Sequence, residues 1–124
     1  MPAAIPEQIH TLFTEAFRAG DLDRLMELYE PGATLVPQPG EIASGHAAIR
    51  QALSAFLGMK AKFELKFDKV IQAHDIALLH SNWTLTGKTP DGKAINMAGR
   101  TADVVRRQSN GAWLLIIDSP FGGA

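Results

Sequence analysis

Residues 114–121 read LLIIDSPF, four aliphatic side chains followed directly by the carboxyl of Asp118 with no turn residue between them. Moving an unpaired, ionised carboxyl into apolar surroundings is so costly that such a group is avoided, paired, or kept protonated by a raised pKa. An acid in this setting suits acid–base chemistry at the wall of a ligand cavity, where desolvation raises its pKa and a neighbouring imidazole can share its proton. The competing reading is structural, with Asp118 ending the last strand and bonding backbone amides near Ser119-Pro120. The sequence has no cysteine, which removes disulfides, thiolate nucleophiles and sulfur-ligated metals. Its four histidines, His10, His46, His74 and His80, fall on separate elements without short ligand spacing, so no metal site is expected.

The bulk properties narrow the classes further. A chain of 124 residues is long enough to remove roughly two-thirds of its unfolded surface from water, so a single domain over 1–124 is expected. Hydrophobic residues at 46% and charged residues at 20% are the balance of a soluble globular protein. A formal net charge of −1, with dispersed basic residues, gives no electrostatic reason to expect nucleic acid or an anionic membrane as partner. The opening MPAAIPEQIH lacks the basic and long apolar regions of a secretory signal, and no later run reaches a membrane span; a cytoplasmic location is the expectation.

The elements that must hold the acid follow from hydrophobic periodicity. Ile9, Leu12, Phe13, Ala16 and Phe17 form one stripe of a helix that Gly20 stops. Asp21 caps a second short helix through Leu22, Leu25, Met26 and Tyr29, ended by Glu30-Pro31-Gly32. An extended piece at 33–37 and a Pro/Gly loop lead to a third helix near 47–57, closed by Gly58. Beyond Met59 the period drops to two: Phe63, Leu65 and Phe67 alternate with Lys62, Glu64 and Lys66. Strand-like runs follow at 76–86, 94–107 and 113–118. Thr89-Pro90-Asp91-Gly92 and Asn110-Gly111 supply the turns between them, so neighbours are expected to pair antiparallel. The predicted fold is α+β: a cone-shaped roll of a curved antiparallel sheet, mixed at its edge, packed on three N-terminal helices around an internal pocket.

The stretch AFRAGDLDRLMELYEPGATLVP, the SGHAAIRQAL helix and the ending RTADVVRRQSNGAWLLIIDSPFG resemble the nuclear-transport-factor-2-like superfamily, in particular its SnoaL-like and ketosteroid-isomerase-like members. The resemblance covers nearly the whole chain and is specific for fold, not activity, because this scaffold hosts isomerases, cyclases, dehydratases and non-catalytic binding modules. In ketosteroid isomerases the general base follows the A-T-hydrophobic segment of the first strand; counting along Ala33-Thr34-Leu35-Val36 puts Pro37 there. The oxyanion-hole Tyr of those enzymes corresponds to Phe13. Only the protonated Asp that donates to the oxyanion has a counterpart, Asp103, eight residues before the Gly of the last hairpin. The resemblance therefore argues against the familiar steroid isomerase mechanism.

If Asp103 faces the cavity, alternation carries Met97, Gly99, Thr101 and Val105 to the same side, and Ile116 and Asp118 join them from the last strand. The same phase on the preceding strand gives Leu78, His80, Asn82 and Thr84. Phe13, Phe17, Tyr29, Leu35 and Phe56 would form an apolar base. The expected catalytic groups are Asp118, Asp103 and His80, with no cofactor required, acting on a small hydrophobic or carbonyl-bearing ligand. The structural alternatives are a core role for His80 and an ion network joining Asp103 to Arg100, Arg106 and Arg107. Arg100 points outward unless Gly99 introduces a bulge. Trp83 falls with Leu79 and Leu85 on the convex face, through which relatives dimerise, so a homodimer contact is expected there. The function expected is an isomerase- or cyclase-like enzyme, the alternative a non-catalytic ligand-binding or scaffold module.

Overall fold

The structure, a computed structural model, describes residues 2–123. Helix α1 (Gln8–Arg18) buries Ile9, His10, Ala16 and Phe17 and ends where Gly20 takes a φ of +66°. Asp21 caps α2 (Leu22–Met26), its Oδ1 accepting from the Arg24 amide at 3.1 Å. The expected second helix stops early. Tyr29 belongs instead to β1 (Tyr29–Leu35), where strand pairing outcompetes the helical phase it shares with Leu25 and Met26. A two-residue strand, β2 (Ala43–Ser44), precedes α3 (His46–Gly58).

The remaining strands are β3 (Lys62–Ala73), β4 (Ile76–Lys88), β5 (Ala94–Arg100), β6 (Asp103–Arg107) and β7 (Trp113–Asp118). They form one open seven-stranded sheet in the order β2-β1-β7-β6-β4-β3, with β5 also paired to β4. All pairs are antiparallel except β1 with β7, which run parallel. The run expected at 94–107 is divided at Thr101-Ala102, yet its two halves keep one register along β4, from Asn82↔Arg100 to Leu79↔Asp103. The helices pack on the inner face, and the core between the layers includes Ile9, Leu25, Ile49, Leu79, Trp113 and Leu115.

Two registers decide which side chains look inward. Along β4, Leu79 pairs with Asp103 and Trp83 with Gly99, so Ala77, Leu79, Ser81, Trp83 and Leu85 face the helices while Asn82 and Thr84 are exposed. The phase expected for β4 is thus displaced by one residue. Alternation fixes the faces within a strand, but the offset between neighbours is set by loop length and pairing, which the pattern alone does not carry. In β7, Leu115 pairs with Val105 but Ile117 with Val104, which leaves Ile116 as an extra residue in a bulge. The bulge turns both Leu115 and Asp118 inward, three positions apart, and takes Ile116 off the inner face. At Gly99 no bulge occurs; Arg100 points outward, where its Nη2 meets Asp68 Oδ2 at 2.5 Å.

Candidate functional site

Between sheet and helices lies a cavity of about 80 Å³. Its walls are mostly apolar, with Phe13, Phe17, Leu35, Phe56, Phe63 and Trp83 prominent, and its polar atoms come from His10, Thr101, Asp103 and Asp118. Asp103 and Asp118 are 3% and 7% exposed. Both are therefore removed from water, as the aliphatic run before Asp118 implies.

Asp103 sits at the centre of the polar group. Its Oδ1 accepts from the Ser119 amide at 2.7 Å, and its Oδ2 lies 2.6 Å from His10 Nε2. The Asp118 carboxyl is within hydrogen-bonding reach of Asp103 and receives the Tyr29 hydroxyl on Oδ2. On its other side, His10 Nδ1 lies 2.7 Å from Ser81 Oγ. The Ser81 amide donates to Thr101 Oγ1 at 3.0 Å, whose hydroxyl donates to the Leu79 carbonyl at 3.2 Å. Among the described residues no buried side-chain polar atom is left without a partner.

Burial orders the protonation states. It lowers the His10 pKa to about 4 against the pull of nearby Asp118, so the imidazole is neutral near pH 7. It raises Asp103 to about 7, restrained by the Ser119 amide and by Asp118. Asp118 rises well above the ordinary carboxyl range, through burial first and then the charge of Asp103. Tyr29 is pushed well above 10 by burial, then by Asp118. Near neutrality one proton on Asp103 is therefore the mobile one. When Asp103 is ionised it accepts from the Ser119 amide, the neutral His10 Nε2–H and the Asp118 hydroxyl; Ser81 then donates to His10 Nδ1. Ser81, His10 and Asp103 have the residue types of a nucleophilic triad, but Ser81 is fully buried and absent from the cavity wall, which leaves it to orient the ring.

The structure brings Phe13, Phe17, Leu35, Phe56, Thr101, Asp103 and Asp118 to the cavity as expected. It does not bring His80, which lies half-buried on the outer face of β4 with Nδ1 at 2.7 Å from the Thr101 carbonyl. Asn82 and Thr84 share that outer face through the displaced phase. Val105 and Tyr29 are buried in the core and not in the wall, Tyr29 acting from behind Asp118; Met97 packs against the core's margin, and Ile116 is lost to the bulge. Trp83 is the opposite case: expected on the convex face as a dimer contact, it is 7% exposed and walls the cavity. The arginines expected around Asp103 are elsewhere, Arg106 on Glu30 and Arg107 on Asp75. The imidazole the sequence analysis missed is His10. Its signal was its place at i, i+3, i+7 with Phe13 and Phe17, on the stripe that α1 buries.

A set of helices laid on an open mixed sheet, with a cavity between them and acids at one end, is the nuclear-transport-factor-2-like fold. Residues 10–116 match the family model described as the SnoaL-like domain, and the chain belongs to that family. Among solved structures, a ketosteroid isomerase-like protein from Erwinia carotovora atroseptica is 18% identical with a TM-score of 0.79, over 90% of this chain and 88% of its own. A candidate dehydratase of the NTF2-like family from Streptomyces avermitilis is 20% identical, with a TM-score of 0.73 over 90% and 89%. A candidate calcium/calmodulin-dependent protein kinase II association domain from Xanthomonas campestris is 24% identical, with a TM-score of 0.75 over 95% and 91%. No curated protein matches. At these identities the likeness is one of fold, and the fold carries both enzymatic and association-type names.

Proposed function

We propose that the protein is a small enzyme that moves a proton on a small, mostly apolar carbonyl compound, without a cofactor. The observation that carries this reading is the carboxyl pair at the polar end of an otherwise apolar cavity, with Asp103 balanced near pH 7 and Asp118 held protonated. A base works best when its pKa lies near the working pH, which suits Asp103 to take a proton from carbon. Asp118, kept neutral, can turn its hydroxyl from Asp103 to the carbonyl oxygen as negative charge passes from the base to that oxygen. His10 orients Asp103 and accepts the proton's charge only at a cost set by its burial. The cavity is small beside the ~150 Å³ that admits benzene, which favours ligands of a few heavy atoms.

The test is hydrogen exchange at the α-carbon of acetone, butanone and cyclopentanone in D2O, followed by NMR. The parent protein is expected to accelerate exchange of at least one of them, and Asp103→Asn to lower that rate on the order of 10²-fold or more. A second reading, a non-catalytic ligand-binding or scaffold module, is favoured by Pro37 and Phe13, which line the cavity where an isomerase-like site carries a base and a hydroxyl. Saturable ketone binding without accelerated exchange would decide for it.

A further inference from the structure

Beyond β7 the chain folds back over the site and is fastened at several points. The Ser119 carbonyl accepts from the Ala102 amide at 2.9 Å, and the Gly123 amide donates to the Arg100 carbonyl at 2.9 Å. Pro120 and Phe121 line the cavity, Phe121 edge-on to Trp83 at 5.3 Å between ring centroids. From β4, Trp83 reaches this segment with its side chain: its Nε1–H donates to the Pro120 carbonyl at 2.7 Å. Room for it comes from Gly99, the cross-strand partner of Trp83. A Cβ there would lie 2.8 Å from both Trp83 Nε1 and the Pro120 oxygen, closer than side-chain carbons approach such atoms. Proline at 120 fixes φ and so stiffens the placement of that carbonyl. One residue earlier, the Ser119 amide reaches Asp103.

We propose that Trp83 is a positioning residue for Asp103: by holding the Pro120 carbonyl, its indole keeps the Ser119 amide on the Asp103 carboxyl. Ring packing against Phe63 and Phe121 needs only an aromatic side chain; the N–H does something that phenylalanine would not. An amide aimed at a carboxylate favours its ionised form, so the clamp bears on the group that titrates. The other groups around Asp103 are His10 from α1, Tyr29 from β1 and Asp118 from β7; from β4, the uncharged Ser81 reaches it through His10. The proposal rests on the proton-transfer reading for its purpose but not for its physical content, which is read on the protein alone.

The experiment is carboxyl ¹³C NMR titration of Asp103, without substrate, in Trp83→Phe, Gly99→Ala and Phe121→Leu. Loss of the indole bond is expected to raise the Asp103 midpoint by about one pH unit in Trp83→Phe, and to speed exchange of the Ser119 amide hydrogen. Gly99→Ala, which drives the same two atoms apart, should raise it in the same direction. Phe121→Leu, which keeps the N–H bond, should leave it in place. In the parent, the Ser119 amide resonance should follow the Asp103 titration, a result that needs no variant to fold. An unchanged midpoint in folded Trp83→Phe, an equal rise in Phe121→Leu, or a Ser119 resonance blind to Asp103 would each overturn the proposal. Absence of ketone exchange would sink the enzymatic reading and leave these titrations standing.

Discussion

Four neighbouring side chains, His10, Tyr29, Asp103 and Asp118, share a setting that disfavours charge, and their pKa directions carry a consequence for stability. A group whose folded pKa is raised holds its proton longer in the native state than in the unfolded chain, so stability falls as pH rises between the two values. Asp103 contributes this from about 4 up to about 7, and Asp118, raised well above the ordinary carboxyl range, contributes in the same direction. His10, lowered to about 4, works the other way between there and its ordinary 6.5. Asp103 and His10 therefore nearly cancel over that window, and Asp118 sets the net slope. Urea unfolding of the parent at pH 5, 6 and 7 is expected to show stability falling with pH, with a slope of no more than about 1.4 kcal/mol per unit. In Asp118→Asn the slope should flatten. A parent whose stability climbs over the same range would contradict the protonation states assigned to the site.

The elements show why some of this was legible in the sequence and some was not. Local signals were sufficient for the helices and turns: the stripe and Gly20 mark α1, Asp21 marks the start of α2, and Gly92 and Gly111 take the positive φ their turns require. Asp21→Ala should cost about 1 kcal/mol through the lost cap, read as a lower melting temperature with no change in the Asp103 titration. Asp118 was legible because an acid after LLII contradicts its surroundings, and the phase of β5 and β6 followed from alternation and correctly turned Thr101 and Asp103 inward. What failed was the relation between strands. The displaced β4 phase exchanged His80 for Ser81 and sent Trp83 to the wrong face, and no periodicity announces the bulge at Ile116. His10 escaped for a different reason: a histidine on a buried helical stripe looks like any core histidine until its partners, 71 and 93 residues away, are in place.

Across the molecule, the outer face of the sheet carries its own pattern. Ile71, Leu78, Val104 and Ile117 are successive cross-strand neighbours on β3, β4, β6 and β7, forming an apolar row, with Ile71 55% and Ile117 42% exposed. We propose this row, in place of Trp83, as the homodimer contact; Ile117→Lys should then shift sedimentation from dimer to monomer while leaving the Asp103 titration intact. A parent that sediments as a monomer would remove the proposal. Among the described residues no helix is long and apolar enough to cross a membrane. The parallel join of β1 to β7 has one more implication. Tyr29 and His10 come from the first quarter of the chain, while Asp103, Asp118 and Ser119 come from its last quarter. On the ribosome, the helix aromatics of the hollow, Phe13, Phe17 and Phe56, are synthesised long before either acid emerges, and the long loop closures needed to unite them are slow to form. The nascent protein must therefore shelter an unfinished greasy surface until β7 docks, and the same docking event that completes the sheet brings Asp118 onto Tyr29 and the Ser119 amide onto Asp103.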